Sequence, residues 1–233
     1  MGASSPLGLL ALLASVLAPS LANNKCETSK TSENDLPNCY LIKYGYQKER
    51  IWGGVNQPAL MKFQGFAGLQ PTGKITKETV VTRKKPRCGV KDSDNNSTRI
   101  FAEFKKKRKR RFVLEGSRFN LKRKDISYNI KNYPRSLSKT EVDGDIARAF
   151  RLWESAKPLR FTKKAREPQL EISFESRNQC DRDPLDGPGG TLAHAFFPIF
   201  GGDIHFDADE NWTVNSSRRI NLYLTAAHEI GHS

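Results

Sequence analysis

His228-Glu229-Ile230-Gly231-His232-Ser233 spells H-E-x-x-H, and the sequence stops one residue after the second histidine. On a helix, residues four apart share a face, so the imidazoles of His228 and His232 can hold one Zn2+ between them. Glu229 stands beside them, placed to act as general base toward a zinc-activated water.

Working outward, the helix carrying this motif is expected to start near Arg219 or Ile220 and to bury Leu222, Leu224 and Ala227. Before it, Ile204-His205-Phe206 reads as an edge-like strand, and Cys180 to Gly202 is dense in Gly, Pro and Asp. Such composition suits a long ordered loop of the kind metal ions often hold. Leu159-Arg160-Phe161 and Leu170-Glu171-Ile172-Ser173-Phe174 are short strands. Ile126, Tyr128 and Ile130 alternate with polar residues, which predicts another. Ser138 with Glu141 forms a capping box, and Val142, Ile146, Ala149, Phe150 and Trp153 recur at helical spacing until Pro158 ends the pattern. From Phe112 onward the chain therefore reads as α+β.

The N-terminal half reads differently. Leu7 to Leu17 is an apolar run of signal-peptide length, and Ser20-Leu21-Ala22 supplies a small-x-small cleavage site, which implies secretion. It is too short for a membrane-spanning helix, and no other segment is long and apolar enough. Sequons at Asn95, Asn96, Asn211 and Asn215 fit an exported protein. Asp35 can cap a helix running to Tyr46, a second is expected over Gln57–Phe66, and a third over Thr76–Thr82; together they form a small helical bundle. The net charge of +14 sits here: residues 1–111 hold 21 basic and 8 acidic side chains, against 18 and 17 in residues 112–233. Seven of the basic residues form the single run Lys105 to Arg111, in a stretch poor in large apolar residues. This is a linker with a charged arm; since the chemistry-bearing half is near neutral, a nucleic-acid partner is not expected.

The chain has four cysteines. Cys26 and Cys39, expected to precede the first helix, could pair. Cys88, in Pro86-Arg87-Cys88-Gly89-Val90, is either a buried thiol or disulfide half, or a thiolate that fills the open position of a zinc site. Arg108-Lys109-Arg110-Arg111 is either a polyanion-binding patch or a site for a proprotein convertase, with cleavage leaving Phe112 as the new N-terminus.

These stretches in this order resemble the matrix metalloproteinases (matrixins). Leu41-Ile42-Lys43-Tyr44-Gly45-Tyr46 and Phe63-Gln64-Gly65-Phe66-Ala67-Gly68-Leu69 are similar to propeptide helices of that family. Pro86 to Val90 is similar to its cysteine switch. Asp186 to Phe196 and His205 to Trp212 resemble its metal-binding loops, and Ala226 to Ser233 the start of its zinc helix. The resemblance implies a helical propeptide followed by a twisted, mostly parallel sheet with one antiparallel edge strand and flanking helices. It divides the chain into a signal peptide (1–22), a propeptide with switch (23–90), a linker with convertase site (91–111, cut through Arg108, Arg110 and Arg111) and a catalytic domain (112–233). It makes His228 and His232 ligands of a catalytic Zn2+, Glu229 the base, and Cys88 the further ligand of the latent form, braced by Arg87 and Asp92. It gives His194, His205 and Asp181 to a structural zinc, and Asp186, Gly187, Gly189, Thr191, Asp207 and Glu210 to Ca2+. Extracellular protein substrates, an activating convertase and protein inhibitors of metalloproteinases follow as partners. Ala193 to Phe197 would be an edge strand along the cleft.

The chain also departs from the family pattern. Gln179 stands where a structural-zinc histidine is expected, with Cys180 beside it. Lys91 stands where Pro is usual, and the loop between His194 and His205 is short. The longer motif H-E-x-x-H-x-x-G-x-x-H and its Met-turn are not reached, which suggests a truncated sequence. The alternative reading is a secreted, metal-stabilised binding or signalling protein without proteolysis.

Overall fold

The computed structural model describes residues 36–49, 51, 54–92, 125–176, 185–214, 216 and 219–233. The signal segment, Arg108, Arg110 and Arg111, Gln179, Cys180 and Asp181, and the sequons at Asn95, Asn96 and Asn215 lie outside these residues.

Residues 36–92 form three helices, α1 (Leu36–Lys43), α2 (Gln57–Phe66) and α3 (Lys77–Arg83). Asn56 caps α2 by accepting from the Ala59 amide, and Thr76 caps α3 by accepting from Thr79, each side-chain oxygen satisfying an amide the helix leaves free. Leu41, Tyr44, Tyr46, Ala59, Leu60 and Phe63 make a small core of their own. α1 ends at Lys43, short of the expected Tyr46. The Tyr46 amide reaches the Leu41 carbonyl, the Gly45 amide reaches Ile42, and Gly45 has φ 79°. That is a Schellman stop, and it turns Tyr44 and Tyr46 inward. Cys39 lies inside α1, not before it, and is disulfide-bonded.

The second core belongs to a sheet. Among the described residues it contains β1 (Arg87–Cys88), β2 (Asp125–Ile130), β3 (Arg160–Lys163), β4 (Leu170–Glu175), β5 (Thr191–Ala195) and β6 (Ile204–Asp207), in the order β1-β5-β6-β4-β2-β3. Every pairing is parallel except β5 with β6. Ile204–Asp207, expected at an edge, instead lies between β4 and β5. Three of its four residues are buried, as a strand covered on both faces requires. Thr191–Ala195 is its antiparallel neighbour; it overlaps the edge strand expected over Ala193–Phe197, but β1 adds to its far side, so in this state it lies between two strands.

α4 (Lys139–Ala156) opens with the expected capping box at Ser138 and Glu141 and lays Val142, Ile146, Ala149 and Phe150 on the sheet. Phe150 stacks between Tyr128 and Phe161, with ring centroids 4.3 and 4.5 Å away. α5 (Leu222–Glu229) starts later than expected, with Asn221 accepting from the Leu224 amide. It buries Leu222 and Ala226, while Leu224 is 61% exposed. That solvent-facing position corrects the expected burial of Leu224. No described helix is long and apolar enough to cross a membrane.

Candidate metal centre

α5 carries His228 and ends at Glu229; His232 lies in the following turn. The two histidines nevertheless face one another, with Nε2 to Nε2 at 3.2 Å. The Cys88 Sγ completes the group: these three ligand atoms lie within 4.8 Å of one another, the only such set of three among the described residues. Tetrahedral zinc with Zn–N near 2.0–2.1 Å spaces two nitrogens about 3.3 Å apart, so the spacing of the imidazole pair fits that ion, and a thiol is a donor of the type it takes. Glu229 is fully buried, with Oε2 accepting from the Cys88 thiol at 3.4 Å and Oε1 left without a hydrogen-bond partner. Burial drives its pKa up to about 8. Burial also pushes the Cys88 thiol up, with the Glu229 charge adding to it, and pushes His228 down and His232 down to about 4. A bound cation would oppose the desolvation of thiolate and carboxylate alike.

Cys88 is brought there by strand pairing. The Arg87 amide donates to the Gly190 carbonyl and the Gly89 amide to Ala193, both at 2.7 Å. A Cβ at position 89 would sit 2.7 Å from Thr191 Cγ2 and 3.1 Å from His194 Cβ, so glycine is needed for this approach. Arg87 pairs with Asp92, donates to the Tyr40 hydroxyl at 2.9 Å, and stacks 3.8 Å from the Tyr44 ring centroid. Tyr46 donates to the same Asp92 carboxylate. Desolvation opposes the Arg87 charge, but Asp92 more than compensates and holds its pKa above the usual value. Tyr44 also contacts Thr191, hydroxyl to hydroxyl at 3.2 Å, and Lys43 pairs with Asp186 at 3.2 Å. Tyr40, Tyr44 and Lys43 carried no role in the sequence reading. Tyr40 on α1 and Tyr44 just past its end, four residues apart, were the available signal.

The remaining candidate residues fall in two places. His194 and His205 are directly opposed across β5 and β6, their ring centroids 5.2 Å apart, with Phe196 5.4 Å from each; Asp181 lies outside the described residues. The carboxylates of Asp186, Asp207 and Glu210 each accept a backbone amide from residues 187–191: Thr191 at 2.7 Å, Gly187 at 2.9 Å and Gly189 at 2.6 Å respectively. Burial, and then the neighbouring carboxylates, raise the pKa of Asp207 and Glu210. This all-oxygen donor set suits a hard cation, and Lys43 stands as a cation on Asp186. The three carboxylates do not meet as closely as Cys88, His228 and His232 do.

Comparison with known proteins agrees with this arrangement. A Peptidase_M10 (Matrixin) family profile matches residues 119–233. The chain is 41% identical to human neutrophil collagenase over 216 residues, 91% of this chain and 43% of that protein. It is 41% identical to pig interstitial collagenase over 219 residues, 88% of this chain and 43% of that protein. With human matrix metalloproteinase-20 it shares 38% over 236 residues, 97% of this chain and 45% of that protein. The chain therefore spans less than half the length of these relatives. With a matrixin sheet, an H-E-x-x-H turn facing a thiol, and this likeness along nearly its whole length, the chain belongs to the matrix metalloproteinase family.

Proposed function

We propose that this chain is the latent form of a secreted zinc endopeptidase acting on extracellular proteins. Zinc and calcium are the cofactors of its family. The observation that carries the reading is the convergence of Cys88, His228 and His232, with Glu229 hydrogen-bonded to the thiol. His228, His232 and Cys88 would hold the zinc, which when bound supplies Lewis acidity. In this state the Cys88 sulfur fills the place a reacting water needs, and its hydrogen bond occupies the base. Once the thiol leaves, Glu229 takes a proton from water at a carboxylate oxygen and returns it to the leaving amine. The buried Oε1, without a partner, is where that proton can be held.

Residues 1–22 serve as signal peptide, 23–90 as propeptide, 91–111 as linker and 112–233 as the catalytic part, with a convertase cutting after Arg111. An extended substrate pairs with the outer edge of β5 by strand addition, the edge that Arg87–Cys88 now occupies. Inhibitor proteins of metalloproteinases would take the same edge. His194, His205 and Asp181 would hold a structural zinc; Asp186, Asp207 and Glu210, with carbonyls of Gly187, Gly189 and Thr191, a calcium.

The test uses a gene product extended to the length of the relatives. Convertase treatment should cut after Arg111 and release peptide-cleaving activity, and Glu229→Ala should abolish that activity with zinc still bound. Unchanged turnover in Glu229→Ala excludes it as the base; no cleavage by the unsubstituted, zinc-loaded product favours a non-proteolytic role.

A further inference from the structure

Trp153 lies on α4, outside every residue assigned above, yet it touches the motif at two points. Its indole N–H donates to the Ala227 carbonyl at 2.8 Å. Its six-membered ring covers Gly231, where a Cβ would lie 2.6 Å from Cζ2 and 3.1 Å from Cη2. Ala227 immediately precedes His228, and Gly231 immediately precedes His232. One side chain therefore contacts the residue before each histidine.

The hydrogen bonds show what this contact does. In an unbroken helix the Ala227 carbonyl would accept from the Gly231 amide. Here the Gly231 amide donates to His228 at 3.0 Å, and the His232 amide donates to Glu229 at 2.9 Å. At these two amides the bonding has tightened to i→i+3, while Ile230 and Ser233 still reach four residues back, to Ala226 and Glu229; the Ala227 carbonyl is taken by the indole. Across this tightened turn the two Nε2 atoms come to 3.2 Å.

We infer that Trp153 is a positioning residue for the histidine pair: its indole, anchored on α4, sets the turn between His228 and His232 by bonding Ala227 and bracing Gly231. The inference rests on the reading of that pair as zinc ligands. Trp153 is only half-buried and sits at the margin of the main core. Its contribution to the site is thus separable from its contribution to the fold.

The test is zinc affinity, measured by competition with a chromophoric chelator on the whole 233-residue chain. Trp153→Phe removes the donor and the outer ring; groups that orient metal ligands are typically worth roughly 10–100-fold in affinity, and a loss of that size is expected. Ile172→Val, a fully buried change in β4, is the control for general destabilisation and should leave affinity within about twofold, well short of a positioning effect. Equal affinity in Trp153→Phe and wild type overturns the inference, as does an equal loss in the control. Should Trp153→Phe fail to fold, Gly231→Ala makes the same prediction from the other side, by putting a methyl where the ring lies; a folded Gly231→Ala chain with wild-type affinity overturns it too. A wild-type chain that takes up no zinc refutes the zinc reading itself, a result distinct from zinc uptake that ignores Trp153.

Discussion

Gly89→Ala isolates the contact that seats Cys88 in the site. The added methyl would meet Thr191 Cγ2 at 2.7 Å, His194 Cβ at 3.1 Å and the Ala193 carbonyl oxygen at 3.3 Å. Carbon atoms in van der Waals contact prefer about 3.5–4.0 Å, and all three obstacles belong to β5, a buried strand held between β1 and β6. The relief available is for the N-terminal segment to lift off. Overpacking of this kind costs about 1–3 kcal/mol, which raises the open population roughly 5- to 150-fold. The assay is the labelling rate of Cys88 by a thiol reagent, with the labelled peptide identified by mass. Where closing outpaces labelling, the rate follows the opening equilibrium. Gly89→Ala should label faster by that factor with an unchanged circular dichroism spectrum. Thr191→Ser removes Cγ2 but keeps the hydroxyl that meets Tyr44 and Asp186. Added to Gly89→Ala, it should recover part of the wild-type protection. Labelling of Gly89→Ala at the wild-type rate would refute the close approach as an anchor, and so would a failure of Thr191→Ser to narrow the gap.

Arg87→Ala should open the segment further. It strands the Asp92 carboxylate, 6% exposed, with Tyr46 as its remaining side-chain donor, and breaking a buried pair costs about 3–5 kcal/mol; Cys88 labelling should outpace that of Gly89→Ala. Cys88→Ser should weaken zinc binding by the chain at least ~10-fold, since a ligand is worth no less than the outer groups that support it; chelator competition reads this directly. Glu229→Gln gives a pH signature in metal-free protein. Burial raises the folded pKa of Glu229 to about 8 from 4.5, so the stability present below pH 4.5 is lost as pH rises toward 8. The glutamine variant escapes that loss. It should be the more stable of the two at pH 8, by as much as about 5 kcal/mol, with the difference gone below pH 4.5; denaturant midpoints across that range would show it.

Much of the fold was legible along the chain. The capping box at Ser138, the spacing of Val142 to Phe150, and the alternation of Ile126, Tyr128 and Ile130 are local patterns, set by one residue's relation to the next few. The misreadings were positional. Ile204-His205-Phe206 reads as a strand from its own residues, but whether it lies at an edge depends on which strands join it. β5 and β4 flank it from different distances along the sequence. Leu224 was expected to be buried by the period of its helix, and faces solvent because α4 and the sheet meet the other side of α5. The Schellman stop at Gly45 was written in Tyr44-Gly45-Tyr46, yet its consequence, Tyr44 reaching both Arg87 and Thr191, needs partners 43 and 147 residues away.

By itself the sequence determined which chemistry is present: two imidazoles and a carboxylate at H-E-x-x-H, a thiol after Arg87, and carboxylates among glycines from Asp186 to Glu210. These are properties of residue type and short spacing, which the covalent chain carries unaided. Only the tertiary structure decided that Cys88 meets Glu229 across 141 residues, with His228 beside it, and that the edge of β5 is covered by β1. It also decided that an indole from α4 replaces a backbone bond inside the motif. Each of those depends on long-range packing and strand pairing, whose geometry comes from burying two cores at once rather than from any local pattern.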